Sequence, residues 1–119
     1  MALTVYQYAS CSTCRKALKW LAQNQLAHET VPIVTRPPSR AALASALKRS
    51  GLPLRSFFNT SGESYRNGGF KDRLPAMSEE QALEALAADG KLIKRPLLVG
   101  EDQVLVGFDE KVWSTALLR

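Results

Sequence analysis

Alternating, apolar and amphipathic segments follow one another along the chain and predict a mixed α/β protein. Residues 3–8 alternate in polarity and are rich in Val and Tyr, which predicts a strand. Residues 27–33 are a second strand candidate, and Pro32 suits an edge strand or a strand end. Between these strands, apolar residues recur at i, i+3, i+4 and i+7 on one helical face: Cys14, Ala17, Leu18 and Leu21.

Two further helices are predicted in the middle of the chain. The Pro-Pro-Ser sequence at 37–39 opens the first, and Gly51 ends it. Ser78 begins a capping box (Ser-Glu-Glu-Gln) for the second, which stops at Gly90. Residues 52–74 mix apolar side chains with Gly and Asn breakers and predict no single element. The residues turned inward are Leu43, Ala46 and Leu47 in the first helix and Ala82, Leu83 and Leu86 in the second.

The end of the chain predicts a hairpin and a last helix. Residues 97–99 and 104–106 are apolar and flank a four-residue loop. Asp109 caps the last helix, whose predicted core residues are Val112, Trp113, Ala116 and Leu117. The order is strand, helix, strand, helical insert, hairpin, helix. We expect one α/β domain over residues 1–119, with the insert at about 36–92.

Composition fits this interpretation and narrows the functional classes. The chain has 119 residues, of which 45% are hydrophobic and 23% charged, as in an ordinary globular protein. No apolar run approaches the ~18 residues that a membrane span needs, and the first residues lack the pattern of a signal peptide. We therefore expect a cytoplasmic protein with reduced thiols and no membrane contact. Nothing in the sequence demands a dimer, so we expect a monomer.

Positive charge is concentrated in the first half of the chain. Residues 1–60 carry eight basic residues and one acidic residue (Glu29), a net charge of +7, within a total of +5. This half suits a small anionic partner. It lacks the clustered aromatic side chains of a nucleic-acid surface, so we expect no direct nucleic-acid binding. The cations at Arg15, Lys16 and Lys19 are also consistent with a simple solvated helix face.

The motif Cys11-Ser12-Thr13-Cys14 lies where the first strand gives way to the first helix. Free amides and the macrodipole stabilise negative charge at a helix N-terminus. A cysteine placed there has a lowered pKa and forms the reactive thiolate. Cys14 is one turn further on, close enough to bond to the Cys11 sulfur. We predict that Cys11 is the nucleophile and Cys14 the resolving thiol.

Other interpretations of the cysteines compete with this one. Structural zinc needs four ligands, and the chain has only two Cys and His28 as nitrogen or sulfur donors. Free cysteines are also often inert core residues. His28 by itself is typical of a surface or strand residue. We expect no metal site.

A second motif, Lys94-Arg95-Pro96, directly precedes the hairpin. Proline is tolerated at the start of a strand. Since only about 5–6% of X–Pro bonds in folded proteins are cis, the sequence alone does not indicate a cis bond here.

Three segments, residues 8–18, 94–99 and 104–108, carry a family resemblance. In this order and spacing they resemble the arsenate reductase-like (ArsC/Spx/MgsR) family of thioredoxin-fold proteins, over nearly the whole chain. The resemblance implies a thioredoxin-like, glutaredoxin-type fold. This is a mixed four-stranded sheet with flanking helices and a helical insert between the second and third strands.

The resemblance also implies roles for single residues. Cys11 matches the family nucleophile, and Arg95 matches the arginine that steadies an oxyanion or a thiol adduct. Pro96 matches a cis proline beside the nucleophile, and Thr13 a hydroxyl of the anion-binding loop. The expected anion- or thiol-binding residues are Ser12, Thr13, Asn59, Lys94 and Pro96.

Two positions depart from the family's arsenate reductases. Those enzymes carry two further arginines, where this chain has Asn59 and Gly107. Asn and Gly cannot bind oxyanion charge bidentately as arginine does. Residues 58–66 and 105–108 resemble instead a branch near Spx that is labelled arsenate reductase-like by homology only. The sequence therefore predicts thiol chemistry and does not predict arsenate turnover.

Two functions remain open at this stage. The first is a thiol-dependent oxidoreductase that binds no cofactor, takes a small anionic substrate, and uses glutathione or a protein thiol as co-substrate. Glutaredoxin or thioredoxin would be its protein partner. The second is an Spx/MgsR-like redox-sensing regulator, in which the same cysteines form a switch and the partner is the C-terminal domain of the RNA polymerase α-subunit.

Overall fold

The computed structural model describes residues 3–118. Its strands are β1 (Thr4–Gln7), β2 (Glu29–Pro32), β3 (Leu97–Val99) and β4 (Val104–Val106). Its α-helices are α1 (Ser12–Gln23), α2 (Arg40–Ser50), α3 (Glu63–Asn67), α4 (Phe70–Arg73), α5 (Glu79–Ala88) and α6 (Glu110–Leu117). Short 3₁₀ turns cover Leu54–Phe57, Leu74–Ala76 and Gly90–Leu92.

The four strands form one mixed sheet in the order β2-β1-β3-β4. β1 is parallel to β2 and antiparallel to β3, and β3 is antiparallel to β4. Val5 lies opposite Thr30 on one side and Leu98 on the other. The β1–α1–β2 crossover and the β3–β4 hairpin followed by α6 make the fold thioredoxin-like, as expected. Pro32 ends an edge strand, where its missing N–H costs no ladder bond.

Two cores lie on opposite faces of the sheet, because side chains alternate along each strand. The helices α1 and α6 cover one face, and the helices between β2 and β3 cover the other. The first core contains Leu3, Val5, Ala17, Trp20, Leu21, Leu98 and Trp113. The second includes Ile33, Leu43, Leu47, Phe57, Phe58, Leu83, Leu86, Ile93 and Leu97.

The helix ends agree with the predicted caps. Ser39 Oγ accepts a hydrogen bond from Ala42 N (3.1 Å) at the start of α2. At the start of α5 the capping box is complete: Gln81 N donates to Ser78 Oγ (3.1 Å), and Ser78 N donates to Gln81 Oε1 (3.0 Å). These bonds satisfy amides that have no partner inside the helix.

The prediction for the last helix is wrong at one residue. Val112 is 52% exposed, although it was expected in the core. The buried face of α6 is centred on Trp113, which lies edge-on to Trp20 (ring centroids 6.1 Å apart). Val112 lies about a quarter of a turn from the centre of that face. On α1, Trp20 is also buried, although it was not among the residues predicted for the apolar face. Leu18, which was among them, is only half-buried.

Residues 52–74, which predicted no single element, form short helices around an aromatic cluster. Gly69 has φ +67°, a left-handed conformation that glycine adopts without strain, and it begins α4. The ring centroids of Phe58, Tyr65 and Phe70 lie 5.7–6.3 Å apart. Burial of these rings stabilises a segment whose local sequence predicts no single element.

Gly90, which follows α5, packs closely against the backbone that follows β2. A Cβ at this position would lie 1.9 Å from the Ile33 carbonyl oxygen, so only glycine allows the approach. The turn that begins at Gly90 leads directly to Lys94 and Arg95. This contact therefore helps to position the Lys94-Arg95-Pro96 motif.

A substitution at Gly90 tests that contact. We expect Gly90→Ala to lower the free energy of unfolding by about 3 kcal/mol or more, because the Cβ meets backbone that cannot rotate away. Gly51→Ala is the matched control. Gly51 has φ +69° but open space around it, so strain alone costs about 1–2 kcal/mol. Urea unfolding measures both values, and equal losses would contradict the account.

Candidate functional site

Cys11 is the N-cap residue of α1. Its backbone is extended (φ −89°, ψ 115°), and its N–H donates to the Tyr8 carbonyl oxygen (2.9 Å). Cys14 N in turn donates to Cys11 Sγ (3.2 Å). The sulfur therefore takes the place of the Ser or Asp oxygen that caps most helices, at the positive end of the helix dipole.

The environment shifts the pKa values of the two thiols in opposite directions. Burial by itself raises the pKa of Cys11, but other effects outweigh it, and the net pKa is lowered. These effects are hydrogen bonds from the Cys14 side chain and from the Cys14 and Thr13 backbone, and the charge of Arg95. Burial and the hydrogen bond to Cys11 raise the pKa of Cys14 to about 12. Cys14 has no exposed surface, so the thiol with the lowered pKa lies at the surface of the site and the thiol with the raised pKa lies behind it.

Arg95 and Pro96 lie beside the cysteines, as the resemblance implied. The Arg95–Pro96 peptide bond is cis, and Pro96 is buried. The Arg95 guanidinium carbon lies 5.0 Å from the centre of the Tyr8 ring, and its Nη1 donates to the Lys91 carbonyl oxygen (3.3 Å). Its Nε is buried and has no hydrogen-bond partner within residues 3–118. The buried Nε is therefore an unsatisfied donor, and the guanidinium supplies positive charge to the cleft that Arg95 lines.

Asn59 reaches the site through a short antiparallel pairing. Phe58 forms a bridge with Ile93, Lys94 N donates to the Phe57 carbonyl oxygen (2.8 Å), and Asn59 N donates to the Leu92 carbonyl oxygen (2.8 Å). This pairing lays the segment that follows the 3₁₀ turn alongside the Lys94-Arg95-Pro96 motif. Residues that are 35 positions apart in the sequence, Asn59 and Lys94, thus line the same cleft.

A cleft of about 530 Å³ brings most of the predicted residues together. Cys11, Thr13, Asn59, Lys94 and Arg95 line it, and Cys14 lies buried behind Cys11. Ser12 is exposed in the first turn of α1, outside the cleft wall, and its binding role stays a prediction. The sequence did not single out four further lining residues: Ser61, Val106, Phe108 and Asp109. Tyr8, which contacts Arg95, was also missed, although its place at the end of the first strand was a usable signal.

Gly107 forms part of the cleft wall, and both its N–H and its carbonyl group are hydrogen-bonded. Its N–H donates to the Pro96 carbonyl oxygen (2.8 Å), and its carbonyl oxygen accepts from Trp113 Nε1 (3.1 Å). Its φ is +73°, and a Cβ would lie 2.9 Å from Lys94 Cε. A residue with a side chain, such as arginine, would be strained in this backbone conformation.

Residues 3–118 lack two further kinds of feature. Within that range no group of three or more His, Cys, Asp or Glu side chains could hold a metal ion. No helix in the same range is long and apolar enough to cross a membrane.

Thiol alkylation tests the asymmetry of the cysteine pair. At neutral pH we expect iodoacetamide to label Cys11 once per chain and to leave Cys14 unlabelled, read by mass spectrometry. The rate should rise with pH to a midpoint below the ~8.5 of a free cysteine. Arg95→Gln should raise this midpoint, because it removes a charge that stabilises the thiolate. Lys48→Gln, which removes a charge on α2, is the control; equal labelling of both cysteines would contradict the assignment.

The chain matches known proteins over nearly its whole length. The ArsC family model covers residues 6–116. The Bacillus subtilis protein YusI, which is uncharacterized, is 48% identical over 92% of this chain and 93% of its own. The arsenate reductase of Rhizobium meliloti is 30% identical over 83% of this chain and 69% of its own. The Bacillus subtilis regulatory protein MgsR is 27% identical over 90% of this chain and 83% of its own.

Solved structures agree with these matches. An ArsC-family related protein from Bacteroides fragilis superposes with a TM-score of 0.93 at 43% identity, over 97% of both chains. A possible arsenate reductase from Streptococcus mutans superposes with a TM-score of 0.85 at 45% identity, over 89% of this chain and 90% of its own. With its thioredoxin-like fold, this chain belongs to the ArsC family.

Proposed function

We propose that this protein is a thiol–disulfide oxidoreductase in which Cys11 is the nucleophile and Cys14 resolves the intermediate. One observation carries the proposal: the sulfur of Cys11 caps α1 and accepts the Cys14 N–H at 3.2 Å, while Cys14 is buried behind it. This arrangement favours a thiolate at the cleft and a protonated thiol within one helical turn. Similarity to both reductases and regulators supports thiol chemistry more than any one substrate.

The reaction takes place in two displacements. The Cys11 thiolate attacks one sulfur of a substrate disulfide, forms a mixed disulfide and releases the first substrate thiolate. Cys14 loses its proton and attacks Cys11 Sγ, which releases the second thiolate and leaves a Cys11–Cys14 disulfide. The two cysteines lose two electrons, and the substrate disulfide gains them. Two molecules of glutathione, or a dithiol protein such as glutaredoxin or thioredoxin, would return the pair to its reduced form.

Formation of the mixed disulfide would itself activate Cys14. After burial, the strongest effect that raises its pKa is the hydrogen bond to Cys11, and the Cys11 charge adds to it. Both effects vanish once the Cys11 sulfur is in a neutral disulfide. The pKa of Cys14 then falls, so the resolving thiol becomes reactive only after substrate has bound covalently.

Cationic and polar groups around Cys11 suit an anionic substrate. Arg95, Lys94 and Thr13 line the cleft together with Asn59. Glutathione carries carboxylates that such groups can bind. We therefore propose a small anionic disulfide as substrate and glutathione as the reducing co-substrate, in a cytoplasmic, monomeric protein. Arsenate is not proposed, since Asn59 and Gly107 stand where the arsenate reductases that this chain resembles carry arginines.

A redox-sensing regulator is the second candidate, favoured by the 27% identity to MgsR over 90% of this chain. In that case the disulfide would change a binding surface instead of reducing a substrate. The partner would be the C-terminal domain of the RNA polymerase α-subunit. A pull-down with that domain, oxidised against reduced, separates the candidates: no binding in either state removes the regulator.

Trapping of the mixed disulfide tests the order of the two steps. With oxidised glutathione, we expect Cys14→Ser to accumulate one glutathione on Cys11, because the second displacement is absent. The wild-type chain should instead end as the internal disulfide, two mass units lighter than the dithiol. Mass spectrometry of intact and digested protein distinguishes these products.

Cys11→Ser is the control for that experiment. It should give neither the adduct nor reductase turnover, because Cys14 is buried and its pKa is about 12. Reductase activity that survives in Cys11→Ser, or an adduct found on Cys14, would refute the proposed roles.

A further inference from the structure

A second hollow of about 440 Å³ lies directly beside the Cys11 cleft. Lys94 and Val106 line both, so the two hollows adjoin at these side chains. The second hollow extends from Lys94 to the segment around the 3₁₀ turn Leu54–Phe57. The hollow by itself has a volume typical of small-molecule subsites.

The hollow offers apolar contact. Phe58 and Val106 contribute to its wall, and Leu52 stands at its edge with 40% of its surface exposed. Leu52 is one of three large apolar residues that are markedly exposed within residues 3–118. An apolar group bound in the hollow would remove this surface from water.

The charge of the hollow is positive. Arg55 and Lys94 line it, no acidic residue does, and both cations are exposed. Neither takes part in a salt bridge within the described part of the chain, where Arg40 and Glu80 form the one pair. The Lys94 side chain passes over Gly107. An anionic group would therefore meet two cations that have no other ionic partner.

We propose that this hollow is a substrate subsite, which receives the apolar, carboxylate-bearing body of a small thiol or disulfide whose sulfur lies at Cys11. The inference rests on the proposed function and names the class of its substrate. Arg55 is the specificity residue: it is remote from the reacting sulfur and selects the carboxylate. Leu52, Phe58 and Val106 contact the apolar body.

Two aromatic disulfides test the subsite, because they share their chemistry and differ in charge. Dithiobis(nitrobenzoate) carries carboxylates, and dithiodipyridine is neutral. With either reagent, the Cys11 thiolate displaces one aromatic thiolate and Cys14 displaces the second. The cysteines are oxidised to a disulfide, and the reagent is reduced to two coloured products. Stopped-flow absorbance gives the rate constant of the first displacement for each reagent.

The measured quantity is the rate constant with the anionic reagent divided by the rate constant with the neutral reagent. We expect Arg55→Glu to lower this ratio about tenfold and Arg55→Gln to lower it about threefold. The ratio corrects for any change in the thiolate fraction of Cys11, because that change affects both reagents equally. Lys19→Glu makes the same change in total charge on the exposed face of α1, outside both hollows, and should leave the ratio unchanged. High salt should reduce the wild-type ratio.

An unchanged ratio in Arg55→Glu, or an equal loss in Lys19→Glu, would overturn the subsite. The proposed function would survive that result if Cys11 still reacts rapidly with neutral dithiodipyridine. Absence of reaction with both reagents in the wild-type chain would overturn the proposed function, and the subsite with it. Because Arg55 is exposed, its variants should fold, and the rate with the neutral reagent confirms that the cysteine pair is intact.

Discussion

The hydrogen bond from Cys14 N to Cys11 Sγ is the interaction on which the chemistry of this molecule depends. A helix start must satisfy its free amides, and here a sulfur does so where a hydroxyl or carboxylate is usual. A thiolate accepts such a bond better than a thiol. The structural requirement for a cap and the chemical requirement for a nucleophile are thus met by one atom.

The rest of the fold places groups around that atom. β1 carries the chain to Cys11, and the neighbouring strand β3 begins directly after Pro96, which brings Arg95 to the same end of the sheet. The hydrogen bond from Gly107 N to the Pro96 carbonyl oxygen then fixes the end of β4 against the site. The helices between β2 and β3 contribute through Asn59, whose backbone pairs with the segment before Lys94. The two cations that line the cleft, Lys94 and Arg95, therefore come from one segment, and uncharged groups from the other segments complete its wall.

Local sequence patterns predicted the strands, the main helices and the cysteine pair, and the resemblance implied the mixed four-stranded sheet. The local patterns could not predict contacts that join distant segments. The path that brings Asn59 beside Lys94 depends on the Phe58–Ile93 bridge, and residues 52–74 have no repeating signal of their own. The resemblance, not the pattern, indicated Arg95 and the cis bond before Pro96. The prediction that Val112 is buried was wrong, because an apolar residue at the side of a helical face need not be buried when a larger ring, Trp113, occupies the centre of that face.

A redox titration of the Cys11–Cys14 pair in glutathione buffers tests the central claim most directly, namely that the capped thiolate makes this pair competent for exchange. Because the fold stabilises the reduced thiolate form, we predict a reversible two-electron couple with a midpoint near that of glutaredoxins, about −200 to −230 mV. Thiol labelling and mass spectrometry give the fraction oxidised at each potential. A midpoint below about −300 mV, as in structural disulfides, or no disulfide at any potential, would contradict the account.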